Sequence, residues 1–143
     1  MGRNSVGSNP KNLLVSIIIL LAVVIMFAIM LYQGIGIKQD NDMLKVSGGL
    51  FYSAKVPYSE ITSIELRDRL NSYGSRSNGA SLLNYKLGYF NNDEFGKYKL
   101  FVDNSINKII VLKYGENTVV FNGKNETTTV DIYNSLLEKS GLK

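Results

Sequence analysis

A membrane-spanning helix followed by a mainly-β domain that ends in one amphipathic helix is the fold class this sequence predicts. Three observations carry it. Residues 13–32, LLVSIIILLAVVIMFAIMLY, are an apolar run without a charge. From residue 36 to 121, short runs of β-branched and aromatic residues alternate with Gly, Asn, Asp and Pro turn signals. Beyond residue 126 the apolar positions recur with helical spacing, at Val130, Tyr133 and Leu137.

The first element is a span. Twenty residues in an α-helix cover about 30 Å, the thickness of a bilayer's hydrocarbon core. Ser16 is the only plainly polar residue in the run, and no charge falls between Lys11 and Lys38. A cleavable signal has a shorter apolar core, about 7–15 residues, and a small-residue cleavage pattern. Here Gln33-Gly34-Ile35-Gly36-Ile37-Lys38 follows, without an A-x-A signature, and the absence of cysteine excludes lipoprotein attachment. The expectation is an uncleaved, single-pass anchor at 13–32 behind a short tail at 1–12. Arg3 and Lys11 before the span nearly balance Lys38 and Lys45 after it. Lys11 lies closer to the membrane edge, which favours a cell-membrane protein whose β domain lies outside the cytoplasm. The Ser16 hydroxyl is expected to bond its own helix backbone or a neighbouring helix. One uncharged span lines no pore, so no transport role is expected.

Residues 33–143 are one domain's worth of chain. Strands are expected at 36–38 and 43–46, around a turn at Asp40-Asn41-Asp42. Gly48-Gly49 breaks the chain before Leu50-Phe51-Tyr52, and Lys55-Val56 leads into Pro57, which fixes φ and removes a donor. In Ile61 to Leu66, Ile64 and Leu66 share a face opposite Glu65. Tyr85 to Phe90 and Tyr98 to Val102 read as two further strands. Lys108 to Tyr114 and Thr118 to Phe121 form a hairpin about Gly115-Glu116-Asn117. The final helix starts at a capping-box-like pair, Thr128 and Asp131, and stops at Gly141. Ile64, Leu66, Leu100, Val102, Val111, Val119 and Phe121 are expected in one β core, with Tyr133, Leu136 and Leu137 packed on it.

In this order of elements the chain resembles the bacterial pleckstrin-homology-like (PH-like) domain families of small membrane proteins. The resemblance covers roughly residues 36–140. It rests on Val56-Pro57-Tyr58-Ser59-Glu60-Ile61 with the strand to Leu66, Arg76-x-x-Gly79, Gly88-Tyr89-Phe90, and Leu100-Phe101-Val102 before Ile110-Val111-Leu112. It implies a PH-like antiparallel β barrel or sandwich of seven or so strands capped by the C-terminal helix. It also implies a non-enzymatic domain with no catalytic residues to transfer and no cofactor. The family often carries more than one membrane span, whereas this chain has one.

The composition limits the chemistry. There is no histidine and no cysteine, so the commonest general base, the thiol nucleophile and the usual zinc ligands are absent. A serine–lysine pair, for example Ser53 with Lys55, is a formal nucleophile candidate without an activating context. Asp40-Asn41-Asp42 fails as a calcium loop, because the twelfth position is Phe51. Asn125-Glu126-Thr127 matches a glycosylation acceptor and is read as chance. Gly79 and Gly88 read as bulge or bend positions. Removing Arg3 and Lys11 leaves 14 basic against 12 acidic residues, too balanced for nucleic acid.

The candidate binding element is the segment 67–86, RDRLNSYGSRSNGASLLNYK. It reads as a long connection whose Arg67, Arg69, Arg76 and Lys86 suit phosphate or carboxylate. The leading functional expectation is a binding module for a protein or peptide at the membrane, its partners being the bilayer and an unknown membrane or envelope protein. The alternatives are an anionic-lipid or ligand sensor and, least favoured, a membrane-tethered Ser/Lys hydrolase.

Overall fold

The computed structural model describes residues 10–32, 34–82 and 84–142. Of the expected N-terminal tail, residues 1–9, Arg3 among them, lie outside the described residues. The chain divides after Tyr32 into two compact units.

The first unit is helix α1, Pro10–Tyr32. It begins at proline, whose missing N–H costs nothing in the first turn. Ser16 apart, its side chains from Leu13 to Ile29 are apolar all round and exposed. At 23 residues it is about 34 Å long, long and apolar enough to cross a bilayer. The Ser16 hydroxyl donates to the Asn12 carbonyl at 2.9 Å, one turn back along its own helix.

The second unit carries nine strands among the described residues, where seven or so were expected. β1 (Ile35–Gln39), β2 (Met43–Gly48) and β3 (Tyr52–Pro57) form one antiparallel sheet. A single 3-10 turn at Tyr58–Glu60 leads to the second sheet. It contains β4 (Ile61–Asp68), β5 (Ser75–Leu82), β6 (Tyr85–Asn92), β7 (Gly96–Asp103), β8 (Lys108–Tyr114) and β9 (Asn117–Phe121). Their order is β4-β8-β9-β7-β6-β5. Both sheets are open, so the PH-like architecture is realised as two packed sheets and not as a closed barrel. One pairing departs from the antiparallel expectation. β9 lies parallel to β7, from Lys99↔Val119 to Phe101↔Phe121. The β8–β9 hairpin inserts its return strand between β8 and β7, a long-range choice that no local pattern encodes.

The ends of the small sheet sit over β6. A Cβ placed on Gly48 would fall 2.7 Å from Leu87 and 2.9 Å from Phe101, and one on Gly34 would fall 3.1 Å from the Tyr85 hydroxyl. Between the sheets lies a core of Leu44, Val46, Val56, Phe101, Ile110, Leu112, Val119 and Phe121, which α2 (Glu126–Ser140) covers with Leu136. The opposite face of the large sheet is buried as well. Phe90, Tyr98, Leu100, Val102, Ile109, Val111 and Val120 form a second cluster, overlaid by Leu70, Tyr73 and Phe95. The single core expected from the sequence therefore divides. Ile64, Val119 and Phe121 belong to the first cluster and Leu66 borders it, whereas Leu100, Val102 and Val111 belong to the second. Alternate residues of a strand point to opposite faces, and a central strand buried on both faces feeds two cores.

The ends of α2 are set by its flanking residues. Asn125, and not the expected Thr128, is the N-cap: its side chain accepts from the Thr128 N–H at 2.7 Å. Buried Thr129 donates to the Asn125 carbonyl at 2.8 Å and accepts from the Gly123 N–H at 2.9 Å, tying the helix start to the end of β9. Gly141 closes the helix at φ 70°, as the sequence predicts. The β8–β9 turn has Gly115 at φ 49° between paired Tyr114 and Asn117.

Candidate binding surfaces

The segment 67–86 is not the long loop that its composition predicts. β4 runs to Asp68 and β5 spans Ser75–Leu82, so the irregular connection is only residues 69–74. β5 is an edge strand held to β6 by backbone pairing from Ser75↔Asn91 to Leu82↔Tyr85. Such a strand needs few apolar residues, which is why SRSNGASL does not read as one.

The four basic residues fall on three strands and that connection. Arg67, on β4, donates from Nε to Glu65 at 2.7 Å, forms a further ion pair with Glu94, and lies 5.8 Å over the Phe95 ring. The hydrogen bonds it donates to the Glu94 and Glu65 carboxylates raise its pKa and keep it charged. Arg69 lines a shallow cleft with Asp68, Asn107, Lys108 and Glu126, where Lys108 pairs with Asp68 at 2.7 Å. Arg76 is exposed on β5, in register with Phe90. Lys86, on β6, lies 5.4 Å over the Tyr73 ring. β4 and β5 are the opposite edges of their sheet, so Arg67 and Arg76 start from strands with four others between them.

Residues 69–74 act as a strap over the outer cluster. Tyr73 packs on it, and the Tyr98 hydroxyl donates to the Tyr73 carbonyl at 2.8 Å. Burial raises the Tyr98 pKa well above the ordinary tyrosine value, with smaller contributions from Tyr73 and Glu94. The folded protein thus holds this proton more tightly than the unfolded chain, whose tyrosines ionise near pH 10. Stability is fully present below about pH 10 and falls as pH rises from there towards the folded value. Denaturant titrations across pH 9–11.5 are expected to show that decline, and Tyr98→Phe should flatten it. Burial also raises Tyr73 and Tyr114, so a residual slope should persist. An unchanged slope in Tyr98→Phe would count against the buried hydroxyl as its source.

A second surface escaped the sequence. β1 is an edge strand of the small sheet, with β2 on one side only. Ile35, Ile37 and Gln39 alternate along it and line a largely apolar groove of about 420 Å³. The opposite wall is Gly123, Lys124, Thr128 and Ile132, at the start of α2. The Ser135 hydroxyl donates to Gln39 at 2.8 Å, linking the helix to β1. The sequence showed Ile35 and Ile37 as apolar, but whether β1 is an edge depends on the order of all the strands.

A model of a known family, the bacterial PH domain, matches residues 36–136, most of the β unit. The chain belongs to the bacterial PH domain family. Comparison with curated proteins and with solved structures finds no match. Bacterial PH domains are generally non-catalytic. Ser53 and Lys55 lie exposed on β3, with no hydrogen bond between their side chains among the described residues. No cluster of three His, Cys, Asp or Glu side chains among the described residues could hold a metal ion.

Proposed function

We propose that this protein is a non-enzymatic, single-pass membrane protein whose bacterial PH domain binds an extended segment of another membrane or envelope protein. In this reading α1 is the anchor and the domain lies outside the cytoplasm. The observation that carries it is the groove between β1 and α2. A sheet edge offers unpaired N–H and C=O groups, to which an extended chain adds as a further strand. Ile35, Ile37 and Ile132 supply an apolar bed for alternate side chains, and Lys124 at the rim suits an acidic residue of the guest.

The test is a photo-crosslinking side chain at Lys124, used in intact cells, followed by identification of the captured segment. A synthetic peptide of that segment should slow hydrogen exchange at β1. Ile37→Lys should weaken the peptide by tenfold or more, because burying one isoleucine is worth about 1.5–3 kcal/mol. A peptide that binds Ile37→Lys as well as the parent, with the fold intact, would move the reading to the basic segment 67–86 and an anionic lipid or ligand.

A further inference from the structure

Outside α1, the large apolar side chains exposed among the described residues are Leu50, Phe51 and Tyr89, at 56%, 75% and 45%. Tyr89 is linked to the turn carrying the other two through Tyr52 and Ser53, the first residues of β3. Leu50 and Phe51 form the β2–β3 turn, between the paired residues Gly48 and Tyr52. Tyr89 is in register with Asn78, whose side chain accepts from the Tyr52 hydroxyl at 3.2 Å. Lys99 donates to the Ser53 carbonyl at 3.3 Å and lies 5.7 Å over the Tyr89 ring. The patch thus joins two apolar tip residues to an aromatic ring and a lysine. Single exposed apolar residues are ordinary on a soluble surface. Two adjacent ones at a hairpin tip, beside a tyrosine and a lysine, have the composition of a membrane-interface contact.

Chain connectivity identifies the surface that would receive them. Ile35, the first residue of β1, pairs with Gly48, so the tip lies at the end of the sheet where β1 begins. Only residues 33 and 34 separate Ile35 from Tyr32, the last residue of α1. The other end of the same sheet is polar: Asp40-Asn41-Asp42 turns the chain there, and Asp40 pairs with Lys38 at 3.1 Å. The small sheet is therefore apolar at the end where the chain enters it from α1 and acidic at the other.

We infer that the Leu50–Phe51 turn is a second membrane contact, inserted into the headgroup–acyl boundary of the bilayer that α1 crosses. Tyr89 and Lys99 then lie at headgroup level, the lysine facing lipid phosphates. The inference rests on the reading of α1 as an anchor.

The test uses the full chain in lipid vesicles and exploits its lack of cysteine. Single variants Val23→Cys, Asn41→Cys and Leu50→Cys each carry an environment-sensitive fluorophore. Quenching is read from nitroxide-labelled lipids at two depths and from aqueous iodide. The label at position 23 should be quenched by the deep nitroxide, that at 50 by the shallow nitroxide and severalfold less by iodide than that at 41. Adding Phe51→Glu to Leu50→Cys should abolish lipid quenching at 50 while the signal at 23 persists. If 50 is as open to iodide as 41 while 23 stays deep, the tip contact is overturned and the anchor stands. If 23 escapes lipid quenching, the anchor reading fails and the tip contact falls with it. Shielding at 50 in native membranes but not in pure lipid vesicles would overturn the lipid contact in favour of a protein one.

Discussion

Replacing Leu136 with alanine is expected to cost about 2–5 kcal/mol of folding stability, the range for a large-to-small change in a core that cannot collapse. Leu136 is fully buried, in the cluster that includes Phe101, Ile110, Leu112 and Phe121, and it is the leucine with which α2 closes the space between the sheets. A helix of 15 residues is marginal alone in water. Its formation and its docking are therefore one event, and a cavity beneath it weakens both. Leu137, next along the helix, is only partly buried at the margin of the same cluster. Leu137→Ala should cost clearly less, although the helical stripe alone marks Leu137 as a core position. Urea unfolding of the detergent-solubilised chain, followed by the near-ultraviolet dichroism of its tyrosines, measures both. Equal losses, or no loss in Leu136→Ala, would contradict a helix seated on that core.

The leucine pair illustrates what the sequence encodes locally. The long apolar helix α1, the β8–β9 hairpin and the extent of α2 to Gly141 follow from composition and from spacings within a few residues. Two kinds of feature do not. β5, SRSNGASL, is mostly Ser, Asn, Gly and Ala, with Arg76 and Leu82, and β6 supplies its backbone partners. The division of one expected core into two arises because β7, β8 and β9 are covered on both faces, which requires the strap with Tyr73 and the position of Phe95.

The candidate surfaces divide along the same line. Arg67, Arg69, Arg76 and Lys86 stand out as charges within a polar stretch, but the partners of Arg67 and Lys86, namely Glu65, Glu94 and Tyr73, come from three different parts of the chain. The groove beside β1 is legible only as two isoleucines until the strand order makes β1 an edge. The Leu50–Phe51 tip did leave a local signal. A Gly48-Gly49 break followed by two exposed apolar residues leaves them on the turn and not in a strand. Counting strand length from the Lys45↔Lys55 pairing would have found it.

Gly88→Ala is expected to be more damaging than its single added carbon implies. Gly88 has φ 121°, a conformation that side-chain-bearing residues rarely adopt, and it faces Gly79 across the β5–β6 pair. A Cβ there would lie 2.4 Å from the Asn78 carbonyl oxygen and 2.5 Å from the Gly79 Cα. Both are backbone atoms, with no flexible side-chain end to swing aside. Relief requires the edge strand to move away from β6, next to the irregularity between Arg76 and Asn78 where the register shifts. The backbone conformation alone costs about 1–3 kcal/mol in a non-glycine residue, and the overlap adds to it. A total of about 3 kcal/mol or more places the change among the few that destabilise strongly for a nameable reason. Gly96→Ala is the internal comparison: φ is again positive, at 64°, but nothing lies within 4 Å of its Cβ. That change should cost about 1 kcal/mol, the conformational part alone. The difference between the two isolates the close approach of β5 to β6. If Gly88→Ala proved as mild as Gly96→Ala, the strands would not be held so close.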